Sequence, residues 1–141
     1  MYHKVVIIGN LGRDPEMRYT PQGTPVTNFS VASTRKWKNQ DGSDAEETVW
    51  FRVSVWGKMA EAVNQYLAKG RQVYIEGTLR PDEKGNPRTF QRQDGTWGAS
   101  FEVRAGVIKF LGQRGEKVEG VSGEEPEEPP AGFTEENEIP F

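Results

Sequence analysis

The 141-residue chain has no cysteine and a single histidine, and its longest uninterrupted apolar run is the four residues from Val5 to Ile8. Without cysteine there is neither a disulfide nor a thiolate zinc site, which fits a reducing interior. His3 has no second ligand in view, so no metal site is expected. Four apolar residues are too few for the core of a secretion signal and far too few for a membrane span, so a soluble, cytoplasmic protein is expected. The segment "GNLGRDPE" lacks the Gly-Lys-Ser/Thr ending of a phosphate loop and any GxGxxG spacing. The acids of "DGSDAEE" lack the spacing of a calcium loop, and no acid pair is placed for proton transfer. We therefore expect no enzyme and no cofactor.

What is present is an uneven distribution of charge. The net charge of −3 divides into +4 over residues 1–111, from sixteen basic and twelve acidic groups, and −7 over residues 112–141, where nine glutamates face Arg114 and Lys117. The acidic end is rich in Gly, Pro and Glu and has too few apolar residues to offset the entropy of ordering it, so it is expected to be disordered. It nevertheless finishes in "EENEIPF", an apolar tip on a charged leash. The expected organisation is a folded domain at 1–111, an acidic linker at 112–134 and a distinct tip at 135–141.

Within the body, "KVVIIGNL", "VTNFSVASTRKWK", "TVWFRVSVWG", "QVYIEGTLR" and "ASFEVRAGVIKFL" read as five strands. The turn residues of "RYTPQGTP", the polar loop "NQDGSDAEE" and the long excursion "PDEKGNPRTFQRQDGTWG" separate them. Between the third and fourth, Met59, Ala62, Val63, Tyr66 and Leu67 fall on one helical stripe, with Lys69 in the expected last turn and Gly70 as its cap. The fold class is all-β, and five strands with one helix after the third is the element order of an OB-fold Greek-key barrel.

Alternation along "VWFRVSVW" sorts Val49, Phe51, Val53 and Val55 onto one face and Trp50, Arg52, Ser54 and Trp56 onto the other. The second set cannot be ordinary core, because Arg52 would be buried between two indoles with no carboxylate on the strand. Two indoles about 20 Å apart, bracketing a guanidinium, suit unpaired nucleobases that stack on rings while phosphates meet cations. Other aromatics sit in similar company. Trp37 lies among Arg35, Lys36 and Lys38, and Phe90 lies between Arg88 and Arg92. Tyr74 shares a strand face with Gln72, Glu76, Thr78 and Arg80. Trp97 reads equally as hairpin packing or as a ligand contact. An RNA-binding OB-fold and a protein-binding barrel with its indoles in a subunit interface are the competing readings.

Three stretches, "GNLGRDPEMRYTPQGTPVTNFSVA", "WFRVSVWGKMAEAVNQYLAKGRQVYIEGTLR" and the terminal "IPF", together resemble the bacterial single-stranded DNA-binding protein family. The resemblance implies an OB-fold that binds single-stranded DNA without sequence preference, a homotetramer, and a location at the bacterial nucleoid. It also implies a tip, here Glu135, Glu136, Glu138, Ile139, Pro140 and Phe141, that recruits replication, recombination and repair proteins. The family's stacking aromatics fall on Trp37, Trp50, Trp56 and Phe90. Trp56 stands where phenylalanine is common, and Phe90 stands where tryptophan is frequent. The tip is Glu-rich where the family's is typically Asp-rich.

Overall fold

The computed structural model describes residues 2–112. The linker beyond Gly112 and the tip at 135–141 lie outside the described residues. The chain forms β1 (Val5–Leu11), β2 (Glu16–Tyr19), β3 (Pro25–Lys38), β4 (Asp44–Trp56), α1 (Lys58–Tyr66), β5 (Gln72–Leu79), β6 (Arg88–Gln91) and β7 (Trp97–Leu111). Strands β1, β5, β7, β4 and β3 are paired in that order, and a short β1–β3 contact at Asn10–Ala32 and Leu11–Val31 closes the barrel. All these pairs are antiparallel except β4–β7. The expected five-stranded OB-fold with its helix after the third long strand is therefore what forms.

Two short strands were not expected. "EMRY", which takes Arg18 and Tyr19 from the expected turn segment "RYTPQGTP", pairs with β3 as β2, and "RTFQ", inside the long excursion, pairs with β7 as β6. The polar loop also shrinks: Asp44 to Glu47 extend β4, which leaves only residues 39–43 as a turn. Charged residues can pair here because the extension is a two-stranded ribbon open to water on both faces, where burial sets no polarity pattern. Two of the hairpins end in the same turn. In "NQDGS" and "RQDGT" the first residue's N–H donates to the fifth residue's carbonyl at 2.9 and 2.7 Å. In each the aspartate accepts the Ser or Thr N–H at 2.9 Å.

The core follows from alternation. Val53 and Val55 of β4, Phe29 and Val31 of β3, Val73 and Ile75 of β5 and Val103 of β7 are almost wholly buried inside the barrel. Helix α1 lays Met59, Ala60 and Val63 against one end of this cluster. It stops earlier than its stripe suggests. Leu67 already has extended backbone, which turns its side chain into the core, and Lys69 lies past the last turn, its N–H donated to Asp14 Oδ1 at 2.8 Å. Gly70 follows with φ +86°, within the connection to β5 rather than as the cap. Among the described residues no helix is long and apolar enough to cross a membrane.

The helix is tied to the barrel by the buried Thr27 hydroxyl, which donates to the Ala60 carbonyl at 2.7 Å. Thr27→Val is expected to keep the shape and lose this bond, lowering stability by about 0.5–1.5 kcal/mol. Urea unfolding should show a lower midpoint at unchanged slope.

Candidate nucleic-acid interface

The β3–β4 ladder runs through thirteen consecutive pairs from Val26–Trp56 to Lys38–Asp44 without a bulge. Alternation therefore holds along its whole length. The outer face carries Trp50, Arg52, Ser54 and Trp56 of β4, with Ala32, Ser30, Asn28 and Val26 opposite them on β3. Across the parallel seam, Arg52 pairs with Glu102 and Ser54 with Arg104 of β7. Because β6 pairs with β7, the hairpin adds Arg88 opposite Ser100 and Phe90 opposite Gly98 to the same face.

On this face the rings and guanidinium groups are interleaved. The Arg52 guanidinium lies 4.6 Å from the Phe90 ring centre, with Arg92 5.6 Å from the same ring, and Arg104 lies 5.3 Å from the Trp56 ring. A guanidinium over a ring keeps its hydrogen-bonding edge available, so these cations can be attracted to the rings while still able to meet phosphate. Arg52, Arg92 and Arg104 enter no ion pair among the described residues. Arg92 is oriented instead by donating to the Trp97 carbonyl at 2.7 Å. Arg88 is more committed: its Nε donates to the Pro81 carbonyl at 3.2 Å and lies 3.5 Å from Glu102.

Two of the rings rest on glycine. A Cβ built on Gly12 would meet the Trp50 ring at 2.4 Å, and one built on Gly98 would meet the Phe90 ring at 2.8 Å. Trp50 is 55% exposed, with its ring lying over the Gly12 backbone. Trp56 is only half-buried rather than freely outward, and its Nε1 is buried with no acceptor among the described residues.

The remaining sequence candidates lie elsewhere. Trp37 pairs with Ala45, on the side of the ribbon continuous with Val49 and Phe51 and the reverse of the side carrying Trp50. It is 40% exposed, with Arg35 4.8 Å from its ring centre and its Nε1 donating to Asn39 at 3.2 Å. Lys36 and Lys38 share the Trp50 side; Arg35 shares the Trp37 side. Tyr74 lies opposite Ile8 and Lys109, toward the far end of β7. Its hydroxyl donates to Glu76 at 2.5 Å, so the neighbouring carboxylate raises its pKa. Lys4 first and Tyr74 second hold Glu76 below the usual carboxylate range. Arg80 follows β5, its N–H donated to the Glu102 carbonyl at 2.8 Å. Trp97 is 68% exposed on the reverse of the β6–β7 hairpin from Phe90.

Sequence reading missed Arg104 and the seats at Gly12 and Gly98. Arg104 alternates with the buried Val103 and Ala105, so its outward direction was readable, but its place beside Trp56 depends on the parallel β4–β7 pairing.

An OB-fold barrel bearing aromatic rings and guanidinium groups on one outer face is of the class of oligonucleotide- and oligosaccharide-binding barrels. Residues 2–111 match the model of the single-strand binding protein family, and the chain belongs to that family. It is 41% identical over 123 residues to the single-stranded DNA-binding protein of Neisseria meningitidis serogroup A, covering 87% of this chain and 67% of that protein. It is 42% identical over 114 residues to that of Xanthomonas axonopodis pv. citri, covering 81% and 60%. Among solved structures it is similar to a deletion variant of the single-stranded DNA binding protein from Thermus aquaticus (TM-score 0.61, 29% identity, 79% of this chain and 51% of that one). It also shares its fold with a Plasmodium falciparum SSB in complex with ssDNA (TM-score 0.65, 24% identity, 79% and 97%).

A buried indole N–H that finds no acceptor costs about 1–3 kcal/mol, and among the described residues Trp56 Nε1 has none. Trp56→Phe removes that penalty along with some packing, so stability is expected to stay within about 1 kcal/mol of the parent, whereas Trp56→Ala should lose more than 2 kcal/mol. Urea midpoints of the two variants provide the check.

Proposed function

We propose that the protein binds single-stranded DNA without sequence preference, bases stacking on Trp50, Phe90 and Trp56 while Arg52, Arg92 and Arg104 meet phosphate. Trp37 on the arm beyond the barrel extends the path, with Arg80 and Arg88 as further cations along it and Arg35, Lys36 and Lys38 reached only by displacing the acids they pair with. The observation that carries this reading is the stack of Arg52, Phe90 and Arg92 beside the exposed Trp50 on one sheet face. Family membership and the names of the relatives support it.

The protein is also proposed to work as a homotetramer in the cytoplasm. Among the described residues β1 pairs with β3 only at Asn10 and Leu11, so the edge from Val5 to Ile8 is open. Val6 and Ile8 stand 57% and 53% exposed beside it. An open edge with β-branched side chains is suited to pairing with another copy. The tip at 135–141 is proposed to recruit replication, recombination and repair proteins, its apolar end entering a pocket whose basic rim receives the glutamates.

Titration with oligo-dT should quench tryptophan emission, with affinity falling as salt rises and native mass reporting a tetramer. Trp50→Ala is expected to weaken binding by about 1–3 kcal/mol, the range general to base stacking on proteins of this family. Unquenched emission, or a preference for oligo-U over oligo-dT in competition, would refute the reading. Deleting the last seven residues should abolish pull-down of partner enzymes and leave oligo-dT affinity intact or higher at low salt; unchanged recovery would remove the tip's role.

A further inference from the structure

The outer end of β3 is basic in sequence, but pairing with β4 sets acids alongside it. Its cations are each set against an acid of the opposite strand. Arg35 lies 3.1 Å from Glu47, Lys36 3.3 Å from Glu46, and Lys38 3.5 Å from Asp44. Asp41 at the turn adds a fourth carboxylate, which accepts both the N–H and the hydroxyl of Ser43. Residues 34–48 thus carry three cations and four acids, a net charge of −1. On the barrel face Arg52, Arg92 and Arg104 are arranged differently, lying by rings and entering no ion pair among the described residues, while Glu102 is paired with Arg88.

We propose that Asp44, Glu46 and Glu47 set the DNA affinity of the arm by occupying its cations, so that a phosphate reaching Arg35, Lys36 or Lys38 must displace a carboxylate. This rests on the single-stranded DNA reading above. Binding to a free cationic site releases condensed counterions, and that release drives affinity and its salt dependence. Exchange of a carboxylate for a phosphate leaves the carboxylate uncompensated, and the cation it then attracts offsets part of that release. The displaced carboxylate also stays within a Debye length of the incoming phosphate and repels it. The arm therefore contributes stacking through Trp37 and little electrostatic attraction, and the salt dependence of the whole protein comes mainly from the barrel face. All six side chains are exposed, and such pairs contribute little to stability, so the acids can be neutralised without loss of the fold.

The test compares two double variants of the full chain that change net charge equally. Glu46→Gln/Glu47→Gln frees Lys36 and Arg35; Glu61→Gln/Glu83→Gln removes two exposed acids away from the arm. For oligo-dT, the arm variant is expected to bind at least tenfold more tightly at low salt. Its plot of log affinity against log salt should steepen by up to about 1.4, or about 0.7 per freed cation for single strands. The control variant should move less than half as far on both measures. In addition, Lys36→Gln should lower affinity at least three times more in the Glu46→Gln background than in the parent. Equal responses of the arm and control variants, or an equal cost of Lys36→Gln in both backgrounds, would overturn the proposal. A parent protein that fails to bind oligo-dT would refute the underlying function instead.

Discussion

The register of the β3–β4 ladder is the constraint on which both the core and the candidate interface depend. Thirteen pairs without a bulge keep Val53 and Val55 inside and Trp50 and Arg52 outside over the same stretch of chain. Because side chains alternate with a period of two, a slip of one residue would bury the guanidinium and expose the valines. The apolar side of the strand thus holds the polar side in place. The ladder also continues past the barrel, where no third strand joins it among the described residues, and the same alternation then sorts Trp37 from Trp50.

Much of this was legible in the chain itself. The run "VWFRVSVW" declares its two faces, because a cation between two indoles has no stable place in a core. The barrel followed from five long strands with one helix between the third and fourth. The parts that could not be read depend on which strands become neighbours. Arg104 reaches Trp56 through a parallel pairing that brings together chain segments 48 residues apart in sequence. The short strands β2 and β6 are paired on one side only, so no burial pattern marks them. The helix ends before its apolar stripe does, because Leu67 joins the core from extended backbone rather than from another turn.

Charge shows the same limit more sharply. A basic run such as "TRKWK" suggests a surface for phosphate, yet the hairpin turn brings "DAEE" back alongside it. The local electrostatic character belongs to the paired strands rather than to either strand alone. Of the arginines on the barrel face, Arg88 alone is set against a carboxylate among the described residues, and Arg52, Arg92 and Arg104 lie by rings rather than acids. These cations remain oriented without losing their charge to a neighbour, which makes the β4–β6–β7 face the more strongly positive part of the interface.

The seating of Trp50 and Phe90 on Gly12 and Gly98 gives these two small residues an influence beyond their own positions. A methyl group at either would occupy space now filled by a ring and tilt that ring away from the sheet. Sites with no side chain of their own would then govern the spacing between the rings. The placing of two rings on this face thus depends on two positions that a survey of polar or aromatic residues would pass over.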